Sequence, residues 1–428
     1  MIRWILLGFC IVGLLYDFML MHMSNEQRKK PLPFEVADVY DKEKYRTFME
    51  YKRENRTLAF IEKMLSFCID MCILFSPFFV YMEHWFTNNP YLLFTGTFLT
   101  LTLINGIFDC IFEWISTFHI EEKYGKNKKT KKEFWKDFAI ENGLNLVTSL
   151  GLFLPIIYVC EHMVDWTNHF SISYSQSFLL TSGIVLVLGM LVFLFACLSI
   201  VALKKQYKFT ELEEGDLRNS IEDLMKDCKK KVKKIEVYDE SKKSTSKNAF
   251  VLKLCNYRQI GIADNFLLEN SKRELLGVLA HEVGHLKHKK NGWNYSMYLI
   301  LAFCFLGVVY GIVHGNQICQ FSDWILVQFG LQAHSYYVYM LVYSVLLSPL
   351  VYGVGLFKTY VTRQEEYEAD RNAVQEGYGE DLIQLFKELS KDELMDVNPS
   401  VWVERLTYDH PGMYHRICAI RKEEKNEL

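Results

Sequence analysis

His281, Glu282 and His285 are the residues in this sequence best placed to do chemistry. On a helix, positions i and i+4 lie one turn apart on the same face. Two imidazoles so spaced can hold two corners of a tetrahedral Zn²⁺ site, and Glu282 then stands beside the open corner. Zn²⁺ lowers the pKa of water in that corner to about 7, and a neighbouring carboxylate can take the proton. Five residues thus offer two ligands and a general base for hydrolysis. The rival reading is a helix that merely carries two histidines. Its flanks argue for the metal: Leu275, Leu279 and Leu286 have helical apolar spacing, and Lys287, His288, Lys289 and Lys290 make a cationic exit that suits the helix dipole.

A site of this type needs a third protein ligand and an open fourth position. The stretch Glu365-Glu366-Tyr367-Glu368-Ala369-Asp370 offers candidates, and spacing alone does not choose among Glu365, Glu366 and Glu368. Glu366 and Asp370 are i,i+4, so one can bind metal while the other orients a histidine N–H. A solvated acidic helix start is the alternative.

The elements that must position these residues are mostly membrane helices. The 428 residues are 50% hydrophobic and 15% aromatic, gathered in long apolar runs, which favours an integral membrane protein over one soluble globule. Seven runs are long enough to span a core of about 30 Å: Ile2–Met21, Met64–Phe86 (interrupted by Asp70 and Pro77), Tyr91–Phe118, Leu144–Val164, Ser177–Leu203, Asn294–His314 and Tyr336–Val361. Asp17 and the lack of a small-x-small cleavage site weigh against a signal peptide at the start. The expected organisation is a membrane domain over 1–203, a protease segment over 204–293 holding the histidines, two further membrane helices over 294–361, and a second protease segment over 362–428.

Lys and Arg gather in 22–62, 119–140, 204–293 and 362–428, and are almost missing from 87–90, 165–176 and 315–335. The positive-inside rule therefore puts the histidine motif in the cytosol. On that topology the final Lys425-Asn426-Glu427-Leu428 is cytosolic and does not serve as a luminal retention signal. Asp70, Asp109, Glu113 and Glu161 fall in the spans, and acids there usually face a protein interior or a watery cavity. The net charge of −3 gives no global attraction to nucleic acid. The 11 cysteines form no CxxC pair, so neither a thiolate zinc site nor a redox pair is expected.

Taken in order, several motifs resemble the zinc CAAX prenyl proteases of the Ste24 type. They are Ile120-Glu121-Glu122-Lys123-Tyr124-Gly125, Tyr207-Lys208-Phe209-Thr210, Asn248-Ala249-Phe250, His281 to His285, Glu366-Tyr367-Glu368-Ala369-Asp370, and His410-Pro411 with Arg416. The resemblance runs from about Pro33 to Arg421. It implies a mainly α fold: seven transmembrane helices around a chamber, closed by a cytosolic zinc metalloprotease domain. It makes His281, His285 and Glu366 the ligands of one Zn²⁺ per chain, Glu282 the general base and Asp370 a supporting group. His410 matches the residue that meets the oxyanion, Arg416 a supporting cation, and Asn248-Ala249-Phe250 an edge strand that pairs with extended substrate. The substrates implied are prenylated C-terminal peptides, cut three residues from the end, with a second upstream cut in some precursors. The membrane implied is the endoplasmic reticulum or the inner nuclear membrane. A broader quality-control protease uses the same chemistry. A seven-helix receptor or transporter would leave the metal motif and the large cytosolic part unexplained, and a dead scaffold would not keep all the metal-site residues. Two stretches depart from the family pattern: Arg363-Gln364-Glu365 and Thr407-Tyr408-Asp409.

Overall fold

A computed structural model of the protein describes residues 1–86, 89–169, 207–226, 234–243, 247–254, 257–287, 293–332 and 334–427, with separate positions between 176 and 194 and at 232 and 245. The apolar runs become helices, and most of these helices continue well beyond them. Ile2–Arg28 carries the first expected span and runs on through polar residues. Lys42–Phe75 starts far out in the basic segment, where the Asp41 carboxylate accepts a hydrogen bond from the Lys44 N–H at 2.8 Å. It stops at Ser76, which is extended, as the residue before a proline is biased to be. The chain then bends by 61° into Phe78–Trp85, so the second expected span is a broken helix.

Asn89 caps the next helix, Pro90–Ile115, by accepting from the N–H groups of Tyr91 and Leu92, with Pro90 in the first turn where its missing donor is not needed. The helix Lys131–His169 opens on a reciprocal box in which Thr130 and Glu133 satisfy each other's N–H groups. The fifth expected span, Ser177–Leu203, lies mostly outside the described residues. The sixth lies in Trp293–Cys319 and contributes the apolar stretch Leu299–Val308. The seventh opens the 40-residue helix Tyr336–Gln375. Among the described residues four helices are long and apolar enough to cross a membrane alone, or five with the broken pair.

A four-stranded sheet lies between the fifth and sixth expected spans in sequence. Its strands are β1 (Phe209–Glu211), β2 (Lys234–Tyr238), β3 (Ala249–Leu254) and β4 (Tyr257–Ala263), in the order β1-β2-β4-β3. Only β2 and β4 run parallel, and β3 is an edge. Ile260 and Ile262 of β4 pack in one core with Leu275, Leu279 and Val283 of the helix Lys272–Lys287 and with Leu382 and Leu385 of the helix Gly379–Asp392. The two expected protease segments thus share a single core. Burying each such leucine contributes roughly 2 kcal/mol. Phe48 and Tyr51, from the helix Lys42–Phe75, enter the same core and tie it to the membrane half. A second core, with Phe79, Phe94, Ile157, Phe329 and Tyr339, lies among the apolar helices.

Candidate active site

The motif helix Lys272–Lys287 starts where Ser271 and Glu274 form a capping box: the Ser271 N–H donates to the Glu274 carboxylate at 2.8 Å and the Glu274 N–H to the Ser271 hydroxyl at 3.2 Å. Leu275, Leu279, Ala280 and Val283 are buried and fix the helix's rotation. Residues at the same height on the other side of the helix, Glu282 and His285, stay partly open. The long helix Tyr336–Gln375 crosses against it at Gly284. A Cβ at Gly284 would lie 2.8 Å from the Ala369 Cα, so only glycine allows this approach. The Asn372 side-chain amide donates to the Ala280 carbonyl at 2.7 Å and pins the crossing.

That crossing brings one carboxylate of the acidic stretch up to both histidines. Glu366 is the carboxylate set against both imidazoles: its Oε2 is 3.5 Å from His281 Nε2 and its Oε1 is 3.2 Å from His285 Nε2. One ligand atom from each of His281, His285 and Glu366 can be chosen so that all lie within 4.8 Å of one another. The two rings meet edge to face, 4.8 Å between centroids. Glu366 Oε2 is buried without a hydrogen-bond partner among the described residues. A buried carboxylate oxygen without a donor is costly, and a cation between it and two imidazole nitrogens removes that cost. Two nitrogens and one carboxylate oxygen are also the donors of a three-ligand catalytic zinc site. The residues present therefore fit the metal that the sequence motif implies.

Asp370, one turn after Glu366, is fully buried, with its Oδ1 2.9 Å from His281 Nδ1. The Asp370 carboxylate accepts from Nδ1–H there, which fixes the ring's orientation and turns Nε2 toward Glu366. Arg416, from the helix Met413–Glu427, grips Asp370 with two N–H groups at 2.6 and 2.9 Å and reaches Glu366 Oε2 at 3.6 Å. Its guanidinium lies 4.2 Å over the Phe386 ring. Burial alone would lower the His281 pKa, but the hydrogen bond to Asp370 and the nearby Glu366 carboxylate outweigh it and push it up to about 9. Burial would raise Glu366 and Asp370, but the two histidines and Arg416 hold Glu366 low, and Arg416 with His281 does the same for Asp370. Both carboxylates are therefore anionic at neutral pH, and a metal that binds His281 displaces a proton.

His281, His285, Glu366, Phe386 and Arg416 line one cleft together with Glu282, His410, Lys247, Asn248 and Ala249, and Asp370 lies behind it. His410 is exposed at its mouth, with Nε2 3.5 Å from Glu366 Oε1 and Nδ1 2.9 Å from Asp409 Oδ1. Of the three residues expected in a substrate strand, Asn248 and Ala249 border the cleft. The Phe250 ring turns to the opposite face, 5.6 Å from Tyr238 and across Gly261, as the two-residue period of a strand requires. Asn372, Phe386 and Arg363 are site-supporting residues that the sequence did not single out.

The chain is similar to known proteins over almost its whole length. A family model described as the CAAX prenyl protease N-terminal region, with five membrane helices, matches residues 22–201, and one for peptidase family M48 matches residues 211–424. A CAAX prenyl protease 1 homolog of Arabidopsis thaliana is 25% identical, covering 98% of this chain and 97% of its own. A probable CAAX prenyl protease 1 of Schizosaccharomyces pombe is 28% identical, covering 92% and 82%. The crystal structure of S. mikatae Ste24p superposes with a TM-score of 0.76 at 22% identity, covering 98% of this chain and 99% of that one, and so has the same fold. The M48 match takes in half of the chain, including the histidines, Glu366, Asp370, His410 and Arg416, and with the membrane region before it the protein is an integral membrane member of peptidase family M48.

Proposed function

We propose that this protein is a zinc endopeptidase that removes the last three residues of prenylated C-terminal CAAX sequences. It works in the endoplasmic reticulum membrane with its active site facing the cytosol. The observation that carries the reading is one cleft holding His281, His285 and Glu366 beside Glu282, bordered by an edge strand. The names of the relatives supply the substrate class.

One Zn²⁺ per chain, held by His281, His285 and Glu366, supplies Lewis acidity to the scissile carbonyl and to the attacking water. Glu282 accepts the water proton and returns it to the leaving amine. His410, at the mouth of the cleft, donates to the developing oxyanion, where stabilisation is usually the largest single contribution. Asp370 keeps His281 in one tautomer, and Arg416 balances the paired acids. The outer edge of β3, unpaired to another strand among the described residues, offers backbone groups to an extended peptide beside Ala249. Membrane lipid surrounds the helices, and no nucleic acid takes part.

The test compares matched farnesylated and unprenylated peptides with the purified protein. Cleavage three residues from the end, strongly favoured by the farnesyl group, supports the proposal. Equal cleavage of both peptides moves the reading to a quality-control protease.

A further inference from the structure

Arg363 lies one turn before Glu366 on the long helix and is buried, yet no carboxylate lies within ion-pair distance of it among the described residues. Its guanidinium instead meets backbone carbonyls. One terminal nitrogen donates to the Tyr408 carbonyl at 2.5 Å and to the Glu404 carbonyl at 3.3 Å, and the other donates to the Arg405 carbonyl at 3.3 Å. These belong to the last turn of the helix Val401–Thr407 and the residue just after it, where a cation is favoured by the dipole; the Glu404 carbonyl also accepts the Tyr408 N–H at 3.0 Å, so Arg363 joins the bond that closes the helix. His410 follows two residues later. The far side of the same loop is also tied down: His415 Nδ1 meets the buried Glu404 carboxylate at 2.7 Å, and a Cβ at Gly412 would lie 2.8 Å from that carboxylate. The His410 loop is therefore held between a helix end clamped by Arg363 and a helix start clamped by Glu404.

We infer that Arg363 is a positioning residue for the reaction: it fixes the His410 ring relative to Glu366 by fastening the Val401–Thr407 helix end to the helix that bears the third metal ligand. The planar fork suits this role because it reaches three carbonyls at once, which a lysine ammonium on a flexible stem does not do with the same geometry. The inference rests on the reading of His410 as the oxyanion donor.

The experiment is a double-mutant cycle with Arg363→Gln and His410→Ala in the full-length, detergent-purified protein. A farnesylated, internally quenched peptide is the substrate, with zinc content measured on each sample. The expected result for Arg363→Gln is full zinc, a kcat lower by roughly 10–100-fold and a KM within about threefold of wild type, since misplacing a catalytic group by about 1 Å costs on that order. In the His410→Ala background the same change should cost less than about twofold, because the ring that Arg363 aims is gone. Arg363→Lys should recover part of the kcat. An equal loss in both backgrounds, or loss of zinc, overturns the inference and makes Arg363 a structural residue. Full activity in His410→Ala overturns the role of His410 itself, which is a separate outcome. If Arg363→Gln does not fold, the cycle is run with Arg363→Lys: a loss of kcat confined to the His410 background supports the inference, and an equal loss in both backgrounds overturns it.

Discussion

Gly284→Ala tests whether the helix crossing sets the metal geometry. In an ordinary helix interior, Gly to Ala stabilises by about 1 kcal/mol. Here the added methyl would lie 2.8 Å from the Ala369 Cα, 3.1 Å from the Ala369 oxygen and 3.1 Å from the Asn372 Cβ, whereas ordinary contact begins at 3.4 Å. Two of these neighbours are backbone and cannot swing away, so the helices must part by about 0.6 Å, the shortfall against that limit. Metal–ligand distances tolerate about 0.2 Å. The separation acts directly between the histidines and Glu366, and overpacking of this kind costs about 1–3 kcal/mol. The expected outcome is a 10–100-fold loss of zinc affinity, comparable to removing a supporting partner. Chelator competition, followed by metal analysis, reads it. Gly277→Ala on the same helix is the control, since its Cβ would lie 3.4 Å from the nearest atom, the Leu382 nitrogen. Equal zinc retention in the two variants would refute the reasoning.

Glu282→Gln should keep zinc and fold while the rate drops by about 10²–10⁴-fold, the usual weight of a general base, as a peptide assay with parallel metal analysis will read. Glu366→Gln should lose zinc as well as rate, because it removes the anionic ligand; equal zinc in both variants contradicts the assignment of roles. Acidification should release zinc by protonating His281, and Asp370→Asn should change the pH midpoint of zinc release, because the carboxylate that pushes the His281 pKa up is neutralised. In a cysteine-depleted background, a cysteine at Gln332 should react with an impermeant reagent from outside the cytosol and one at Lys128 only from the cytosolic side; the reverse pattern overturns the orientation.

The parts of the site legible in the sequence were those that local geometry encodes. His281, Glu282 and His285 sit within one turn and declare their chemistry by spacing. Glu366 did not, because its choice over Glu365 and Glu368 depends on how two distant helices cross at Gly284 and Ala369. His410 and Arg416 entered through family resemblance, and their contacts with Glu366 and Asp370 are long-range in the chain. Arg363 was illegible for a different reason: its partners are carbonyls, which every residue has, so no residue type marks them. Hydropathy located the apolar runs but not the helix ends, because it reports what solvent a residue prefers and not whether the backbone keeps turning. Lys42–Phe75 and Tyr336–Gln375 both continue through charged sequence without a break.

That continuity turns the last membrane helix into a ruler. Tyr336–Gln375 would be about 60 Å long at 1.5 Å per residue, and Glu366 lies five residues, or about 8 Å, beyond Val361, where its apolar run ends. Between Val361 and Glu366 the helix is unbroken, and Pro349 lies farther back, within the apolar run. On the proposed reading, in which this run spans the bilayer and Glu366 holds the metal, helix geometry would set the height of the site over the membrane. The bond selected in a lipid-anchored chain would follow from how many residues separate it from the anchor, and inserting or removing one turn after Val361 would change that count.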